Sequence, residues 1–303
     1  MTSENFKGLK VAIIGSCQVT GLSAAARCLL PGAQVKAWHV GVSPPDSDEE
    51  LLKLLSGFDT VISQLSDWNA HIPLRISRLR EMALPVVYLP TMVFPGFHPD
   101  ITYIRGQEKV VPGVGSDYHS VIIAAGFALG LPEGRVAALF NAFIFDALGY
   151  FDVFDAAKSA LLDAFNREGY DLRQLFDVWM RHVGQFMFTL NHPHILVTAA
   201  LCRLALVRAG YLDVTAPLPE GLHDDLATHL IWPSYPPLAR RIGIQGSTMF
   251  LRNAHFLAAG ETRSLPLAAF ISMSYEMYHR IGKDALRSNN IDVACQRLAS
   301  VVV

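Results

Sequence analysis

A cysteine lies where the first apolar run of the sequence gives way to an alanine-rich helical pattern. The run Val11–Ile14 is rich in β-branched residues, Gly15 interrupts it, and Cys17 follows two residues later. In open α/β sheets such a strand-to-helix turn lies at the carboxyl end of the strand, where ligands bind, and the start of the helix offers unpaired N–H groups to an anion. The helix dipole is therefore expected to lower the pKa of the Cys17 thiol toward the thiolate form.

The residues around Cys17 have the groups that an anion or a cofactor needs. Gly15 allows a ligand to approach the backbone, Ser16 offers a hydroxyl group, and Gln18 offers an amide. Together they fit an oxyanion hole, or a seat for phosphate or pantetheine. The alternative is that Cys17 is a small apolar residue that packs after a buried strand. The residues alone leave both interpretations open.

A nucleophilic thiol needs a base within hydrogen-bonding distance, and histidine is the usual one. The candidates are His71, His98, His119, His182, His192 and His194. His98 and His192 stand out because each precedes a proline, which favours an extended backbone and would hold the imidazole on a preorganised loop. Asp100 lies on the same constrained loop as His98. The stretch Asn191-His192-Pro193 also fits a helix start, with Asn191 or His192 flanking it.

Charged residues near the same predicted sheet edge also have two interpretations. Asp67 follows the third predicted strand, where it could orient a histidine or cap a helix over residues 69–75. A basic cluster lies nearby and could meet a phosphate group. Its members are Arg75, Arg78, Arg80, Arg105 and Lys109. The alternative for most of them is a solvated helix face.

The elements that would position these residues alternate regularly over the first hundred residues. Apolar, β-branched runs predict one strand that ends at Gly15 and three more over 34–40, 60–65 and 85–88. Segments with helical spacing separate them, the last over 74–82. This alternation predicts an α/β fold in which residues 1–105 form a Rossmann-like parallel sheet unit.

The pattern becomes mostly helical after residue 116. Helical spacing predicts helices over 117–129, 135–147, 154–167, 172–188, 195–210, 264–281 and 284–301. Residues 242–250 fit an edge strand or an extended loop. We expect residues 106–303 to form a larger, mainly helical part that packs with the first as one body.

Composition excludes several classes of function. The 303 residues carry a formal net charge of −2, which argues against a general nucleic-acid binder. The four cysteines form no CxxC pair, so we expect a cytoplasmic location and no metal site. No signal peptide and no apolar run long enough to span a bilayer is evident. The mean hydropathy of +0.29 predicts a large core, a subunit interface or a membrane-peripheral face, in that order.

Several of these pieces occur in the order of one known family. Gly15-Ser16-Cys17-Gln18 follows the first strand, Gln64 follows the third, and Phe97-His98-Pro99-Asp100, Tyr118 and Phe186-Met-Phe-Thr-Leu-Asn-His-Pro193 come after them. In this order the chain resembles the WcbI-type polysaccharide biosynthesis proteins of bacterial capsule clusters, over about residues 10 to 210. The usual turn of that family is Gly-Asn-Cys-Gln, and here Ser16 replaces the asparagine.

The resemblance implies a cradle-shaped fold, α/β followed by helices, that binds coenzyme A and acts as an O-acetyltransferase on a capsular or other surface polysaccharide sugar. It implies that Cys17 and Gln18 lie near the thiol end of the cofactor, which would be acetyl-coenzyme A in the reaction. On this basis the expected cofactor-binding residues are Gly15, Ser16, Cys17, Gln18, Gln64, Asn191 and His192. The expected catalytic residues are Cys17, His98, His192 and Asp100, with His98 or His192 as the general base.

Two other functions fit the same turn. One is a thiol- or serine-type esterase or deacetylase, in which Cys17 would attack an ester. The other is a non-catalytic accessory protein that binds coenzyme A within a membrane-associated assembly complex. The expected partners are the cofactor and a sugar or polysaccharide acceptor, with no nucleic acid and no transmembrane segment, and the chain could form a homo-oligomer.

Overall fold

The computed structural model describes residues 6–40, 42–43, 47–67, 74–106 and 110–302. Its contacts define two compact units, each built from separate stretches of the chain. Unit 1 comprises Met1–Val93, Leu161–Phe186 and Asn191–Leu226, and unit 2 comprises Phe94–Ala160, Met187–Leu190 and Ala227–Val303. The domain boundary that the sequence places at residue 105 stays a prediction.

A parallel four-stranded sheet forms the core of the N-terminal part of unit 1. The strands are β1 (Lys10–Gly15), β2 (Gln34–His39), β3 (Thr60–Ser63) and β4 (Val86–Tyr88). Their order in the sheet is β2-β1-β3-β4, and every neighbouring pair is parallel. Their carboxyl ends therefore share one edge, which is where the turn after β1 lies. This confirms the predicted α/β class with a parallel sheet followed by a largely helical part.

The helices of the sheet region connect successive strands. They are α1 (Val19–Leu29), α2 (Asp48–Leu55) and α3 (Ile76–Glu81). Three further helices follow later in the chain: α7 (Val153–Arg167), α8 (Arg173–His182) and α9 (Ile195–Arg208). Helix α1 packs closely on α9, because a Cβ atom at Gly21 would lie 3.0 Å from Cγ2 of Thr198. This close packing places the start of α1 beside the start of α9.

Unit 2 is mainly helical, with two short antiparallel strand pairs. Its helices are α4 (Val121–Ala128), α5 (Glu133–Ala138), α6 (Ala142–Ala147), α10 (Pro236–Arg241), α11 (Leu267–Ile281) and α12 (Asn289–Val302). The strand pairs are β5 (Ile101–Thr102) with β6 (His119–Ser120), and β7 (Met249–Leu251) with β8 (Ser264–Pro266). Buried aromatic rings dominate the core, where Phe250 and Phe270 stack with centroids 4.0 Å apart and Trp232 packs edge-on against both.

Several predicted helices have different bounds, and local capping explains two of them. The helix predicted over 135–147 is two helices, because Asn141 starts α6 by accepting a hydrogen bond from the amide of Ile144 at 3.1 Å. The helix predicted from residue 117 begins at Val121, after the strand pair that includes β6, where Ser120 caps it by accepting from the amide of Ile123.

The other differences lie at helix ends. The helix predicted over 172–188 ends at His182, just before Gly184, which has a φ of +73°. The helices predicted from residues 264 and 284 begin at Leu267 and Asn289. Within the described residues no helix combines the length and the apolar character needed to cross a membrane.

Candidate functional site: the turn after β1

The turn between β1 and α1 is short and closely packed. Strand β1 ends at Gly15, helix α1 begins at Val19, and the amide of Val19 donates to the carbonyl of Ser16 at 3.1 Å. A Cβ atom at position 15 would lie 2.7 Å from Oε1 of Gln64, at the end of the neighbouring strand. Gly15 is therefore needed because the side chain of Gln64, the residue after β3, lies directly over the end of β1.

The side chain of Gln18 is the centre of a buried hydrogen-bond network in unit 1. Its Nε2 donates to the carbonyl oxygens of Met92 and Asn191, each at 2.8 Å. Its Oε1 accepts from Nε2 of Gln64 at 2.9 Å and from the amide of Met92 at 3.2 Å. All four hydrogen-bonding positions of the amide are used, so Gln18 fixes the turn and has no free N–H for a ligand.

The sulfur of Cys17 lies between the turn and the segment that contains Asn191. Sγ is half-buried, 4.0 Å from the carbonyl oxygen of Asn191 and 4.0 Å from Oγ of Ser16. Burial raises the pKa of the thiol, and this outweighs the hydrogen bonds from Ser16 and from the backbone amides of Cys17 and Gln18. The expectation of a lowered pKa was wrong because burial outweighs the helix start. The group is a thiol near neutral pH.

The stretch from Asn191 to His194 leads into α9. His194 caps this helix, since its Nδ1 accepts from the amide of Leu196 at 3.2 Å, and Asp224 accepts from the amide of Ile195 at 2.7 Å. The capping residue is thus His194, one position after Pro193, and not Asn191 or His192. Asn191 and His192 are half-buried, and the Asn191 carbonyl accepts from Gln18.

The structure therefore brings together most of the residues expected to bind the cofactor. Gly15, Ser16, Cys17 and Gln18 form one turn, Gln64 contacts it from β3, and Asn191 joins it through a backbone carbonyl. His192 follows Asn191 directly in the chain. Residues 173 and 174 positions apart in sequence thus meet at one sheet edge of unit 1.

His98 belongs to unit 2, and its ring is buried. Nε2 lies 3.1 Å from the carbonyl oxygen of Met187, so this nitrogen carries the proton and donates. Burial lowers the pKa of His98 to about 4, although the backbone oxygens of Met187 and Pro233 favour the protonated form. The loop of His98 was expected to present its side chains, but this imidazole is 1% exposed and neutral at physiological pH.

Asp100, also in unit 2, is surrounded by hydrogen-bond donors. Oδ2 accepts from Oγ of Ser120 at 2.6 Å and from the hydroxyl of Tyr235 at 3.1 Å. Oδ1 accepts from the amide of Ile122 at 2.9 Å and from the hydroxyl of Tyr150 at 3.2 Å. Burial raises the pKa of Asp100 to about 6, and the four hydrogen bonds oppose the rise. The carboxylate anchors the start of α4.

The sequence interpretation missed Tyr150 and Tyr235 as partners of Asp100. They lie 50 and 135 positions from Asp100, on a short 3-10 helix and just before α10. Nothing near either tyrosine distinguishes it from the other aromatic residues of the core. Only the folded chain shows that their hydroxyl groups converge on one carboxyl group.

The remaining candidates have structural partners or lie outside the described residues. Asp67 accepts from the amide of Ser77 at 2.9 Å in the first turn of α3, which begins at Ile76, whereas the helix expected over 69–75 lies mostly outside the described residues. His119 bonds to the carbonyl of Val111 and the hydroxyl of Tyr278, while His182 is exposed at the end of α8.

In the basic cluster, Nε of Arg75 donates to Oγ of Ser77, Arg78 pairs with Glu81, and Arg105 is exposed. His71 and Lys109 lie outside the described residues. Within the part of the chain that the structure describes, no group of three or more His, Cys, Asp or Glu side chains is placed to hold a metal ion.

Comparison with known proteins gives a consistent picture. The family model of the polysaccharide biosynthesis enzyme WcbI matches residues 10–213. A solved structure of a WcbI protein superposes with a TM-score of 0.71 at 15% sequence identity, over 95% of this chain and 98% of the other. That structure is described as native protein without a disulfide bond between coenzyme A and a cysteine. No protein of curated function matches the sequence. The resemblance seen in the sequence motifs is thus confirmed, and so is the fold.

Proposed function

Because this chain belongs to the WcbI family of polysaccharide biosynthesis enzymes, we propose that it binds coenzyme A at the Cys17 turn and transfers an acetyl group to a hydroxyl group of a polysaccharide sugar. One observation supports this most strongly. The Asn191 carbonyl accepts from Nε2 of Gln18 at 2.8 Å and lies 4.0 Å from Sγ of Cys17. The two most specific motifs of the sequence, 174 positions apart, are therefore in contact, which supports a shared cofactor site.

The groups around Cys17 fit the thiol end of the cofactor. The site has a half-buried thiol, the hydroxyl of Ser16, and the backbone amides of Cys17 and Gln18 at the start of α1. Coenzyme A would supply the acetyl group as an activated thioester. The amides at the turn would donate to the thioester oxygen as it gains negative charge. The Gln18 side chain would position the turn, since its own donors are already used.

His192 is the better candidate for the general base. It follows Asn191, whose carbonyl contacts the turn in unit 1, whereas His98 is buried in unit 2. The base would take the proton of the sugar hydroxyl as the hydroxyl oxygen bonds to the acyl carbon, and would return that proton to the thiolate that leaves when the C–S bond of the thioester breaks. Cys17 would line the cofactor site as a neutral thiol, because its raised pKa disfavours a resting thiolate.

Calorimetry with coenzyme A and acetyl-coenzyme A tests the binding step. We expect both to bind the wild-type protein, and we expect Cys17→Phe, which fills the space beside the Asn191 carbonyl, to lose most of this affinity. Cys28→Phe is the matched control, because Cys28 is exposed on α1 and should leave binding unchanged. Absence of binding by the wild-type protein would contradict the proposal.

Turnover separates the transferase from its alternatives. With acetyl-coenzyme A and a capsular oligosaccharide, we expect His192→Gln to reduce kcat by at least about a hundredfold, the usual contribution of a general base, while cofactor binding persists. Acetate release from an aryl ester that requires Cys17 would instead support an esterase. Retained binding with no dependence of sugar acetylation on Cys17 or His192 would support an accessory protein.

A further inference from the structure

Unit 2 contains a groove between the loop around Pro95 and Pro99 and helix α12. Its volume is about 480 Å³, which is within the range of small-molecule sites. The floor is apolar and includes Ile101 and Val121. Its polar side chains are those of Asn289, Asn290 and Arg297, all on α12, and of Tyr150. The groove therefore combines a mostly apolar lining with a few polar groups.

The groove carries a positive charge that no acidic residue in its lining balances. Arg297 lines it, and none of the described residues in the lining is an Asp or a Glu. Nη1 of Arg297 donates to the carbonyl of Ala147 at 3.3 Å, and among the described residues the guanidinium forms no ion pair. Its charge also acts on the Tyr150 hydroxyl, where it opposes the rise in pKa caused by burial and Asp100. An anionic ligand would supply the missing partner.

A second groove in the same unit has a different balance of charged residues in its lining. That groove, of about 590 Å³, is lined by aromatic rings that include Phe127 and Tyr275, and both Glu133 and Lys283 belong to its lining. Apart from His279, the described residues of its lining include one acidic and one basic side chain. The α12 groove thus differs from this second groove in having a cation without an acidic residue among the described residues of its lining.

The polar side chains of the α12 groove suit the hydroxyl groups of a sugar. The side-chain amide of Asn289 forms no hydrogen bond with the described residues. Nδ2 of Asn290 donates to Oγ1 of Thr102, at the long distance of 3.4 Å. An amide both donates and accepts, as a hydroxyl group requires, and the apolar floor suits the C–H face of a pyranose ring. The guanidinium fork matches a carboxylate or a phosphate.

We infer that the α12 groove binds a saccharide that carries a carboxylate or phosphate group. Arg297 pairs with the anionic group, and the amides of Asn289 and Asn290 bond to hydroxyl groups. This binding is argued from the groove alone and does not rest on the function proposed above.

Titrations followed by NMR of the labelled full chain test this binding without coenzyme A. The probes are glucuronate, glucose 6-phosphate, glucose as the neutral match, and inorganic phosphate alone. We expect at least one of the two anionic sugars to shift amide signals of α12 and to bind at least about tenfold more tightly than glucose and inorganic phosphate. Which anionic sugar binds more tightly distinguishes a carboxylate from a phosphate ligand.

Matched arginine variants test whether Arg297 binds the anionic group of the sugar. Arg297→Gln should reduce the affinity for the anionic sugar about tenfold or more and leave that for glucose unchanged. Arg280→Gln should change neither, since Arg280 is exposed on α11 and, among the described residues, bonds only to the carbonyl of Glu276 in its own helix. Equal binding of glucose and both anionic sugars, tight binding of phosphate alone, or an unchanged Arg297→Gln variant would overturn the inference. Failure of coenzyme A to bind would contradict the proposed function and leave this result intact.

Discussion

Gln18 in unit 1 and Asp100 in unit 2 each have a buried side chain at the centre of a hydrogen-bond network. Each lies beside the start of a helix or anchors one, each is at most 1% exposed, and each side chain takes part in four hydrogen bonds. They differ in what the partners do. Gln18 donates two hydrogen bonds and accepts two, whereas Asp100 accepts all four. The Gln18 network contains no charged group, whereas in the Asp100 network four donors surround a carboxyl group that can carry a negative charge.

The two networks should respond differently to a change of pH. The neutral amide of Gln18 joins the Cys17 turn to Met92 and Asn191 with no group that titrates near neutral pH. The carboxyl of Asp100 adds a titratable group with a pKa of about 6 to the core of unit 2. We expect the hydrogen bonds of Gln18 to keep their geometry as the pH changes, while the stability of unit 2 depends on pH.

Exchanging the amide of Gln18 for a carboxyl should have the largest effect. In Gln18→Glu, an oxygen replaces Nε2 and faces the carbonyl oxygens of Met92 and Asn191. Two buried carbonyls lose a donor and a charge is buried, so we expect a loss of about 3–5 kcal/mol in the free energy of unfolding at pH 7.5, measured with urea. The loss should shrink at low pH, where the protonated side chain can donate one hydrogen bond.

The same chemical change on the surface is the control. Gln34 is exposed on β2, and Gln34→Glu should change the free energy of unfolding by less than about 0.5 kcal/mol. If Gln18→Glu were as stable as Gln34→Glu, the amide network would not hold the turn, and the comparison with Asp100 would fail.

Removing the charge of Asp100 should abolish part of the pH dependence. Its pKa of about 6 in the folded protein exceeds the ordinary value of 3.8, so the folded state binds this proton more tightly than the unfolded chain. Its contribution to the free energy of unfolding is therefore highest below pH 4 and falls as the pH rises through about 6. The fall is on the order of 3 kcal/mol, from about 1.4 kcal/mol per pKa unit.

We expect the difference in free energy of unfolding between wild type and Asp100→Asn to fall by this amount from pH 4 to pH 7. Urea titrations at five pH values measure it. Asp163→Asn, an exposed change on α7, should differ from wild type by less than about 0.5 kcal/mol throughout. A constant difference between wild type and Asp100→Asn would mean that the carboxyl does not titrate in this range.

The features that depend on local sequence were predictable. The apolar run that ends at Gly15 and the alternation after it indicated the parallel sheet, because periodicity and turn residues act over short distances. The motifs also indicated that Cys17 and Asn191 belong to one family pattern. That Gln18 bonds the two segments together was not evident, since the acceptors are backbone carbonyls 74 and 173 positions away.

The electrostatic properties of the site depend on burial, which the sequence does not give. The helix start beside Cys17 is visible in the sequence, and its amides do lower the pKa of the thiol. The cost of burying the thiolate is larger and depends on the packed structure around it. The same is true of His98, which was expected on a presenting loop and is instead buried, and of the tyrosines that converge on Asp100.

The smallest effects are expected when either of the two tyrosine hydroxyl groups that donate to Asp100 is removed. The Tyr235 hydroxyl donates to Asp100 at 3.1 Å and accepts from Nε1 of Trp232 at 3.2 Å, whereas the Tyr150 hydroxyl donates one hydrogen bond, at 3.2 Å. Tyr235→Phe should therefore cost about 1–2 kcal/mol, and Tyr150→Phe about 0.5–1 kcal/mol, in urea unfolding at pH 7.5. Each change removes a donor from the carboxylate, so each should raise the pKa of Asp100 further and move the pH dependence upward. Equal losses at pH 4 and pH 7.5 in both variants would show that the hydroxyl groups do not stabilise the charged form, and Asp100 would then be held by Ser120 and the start of α4 alone.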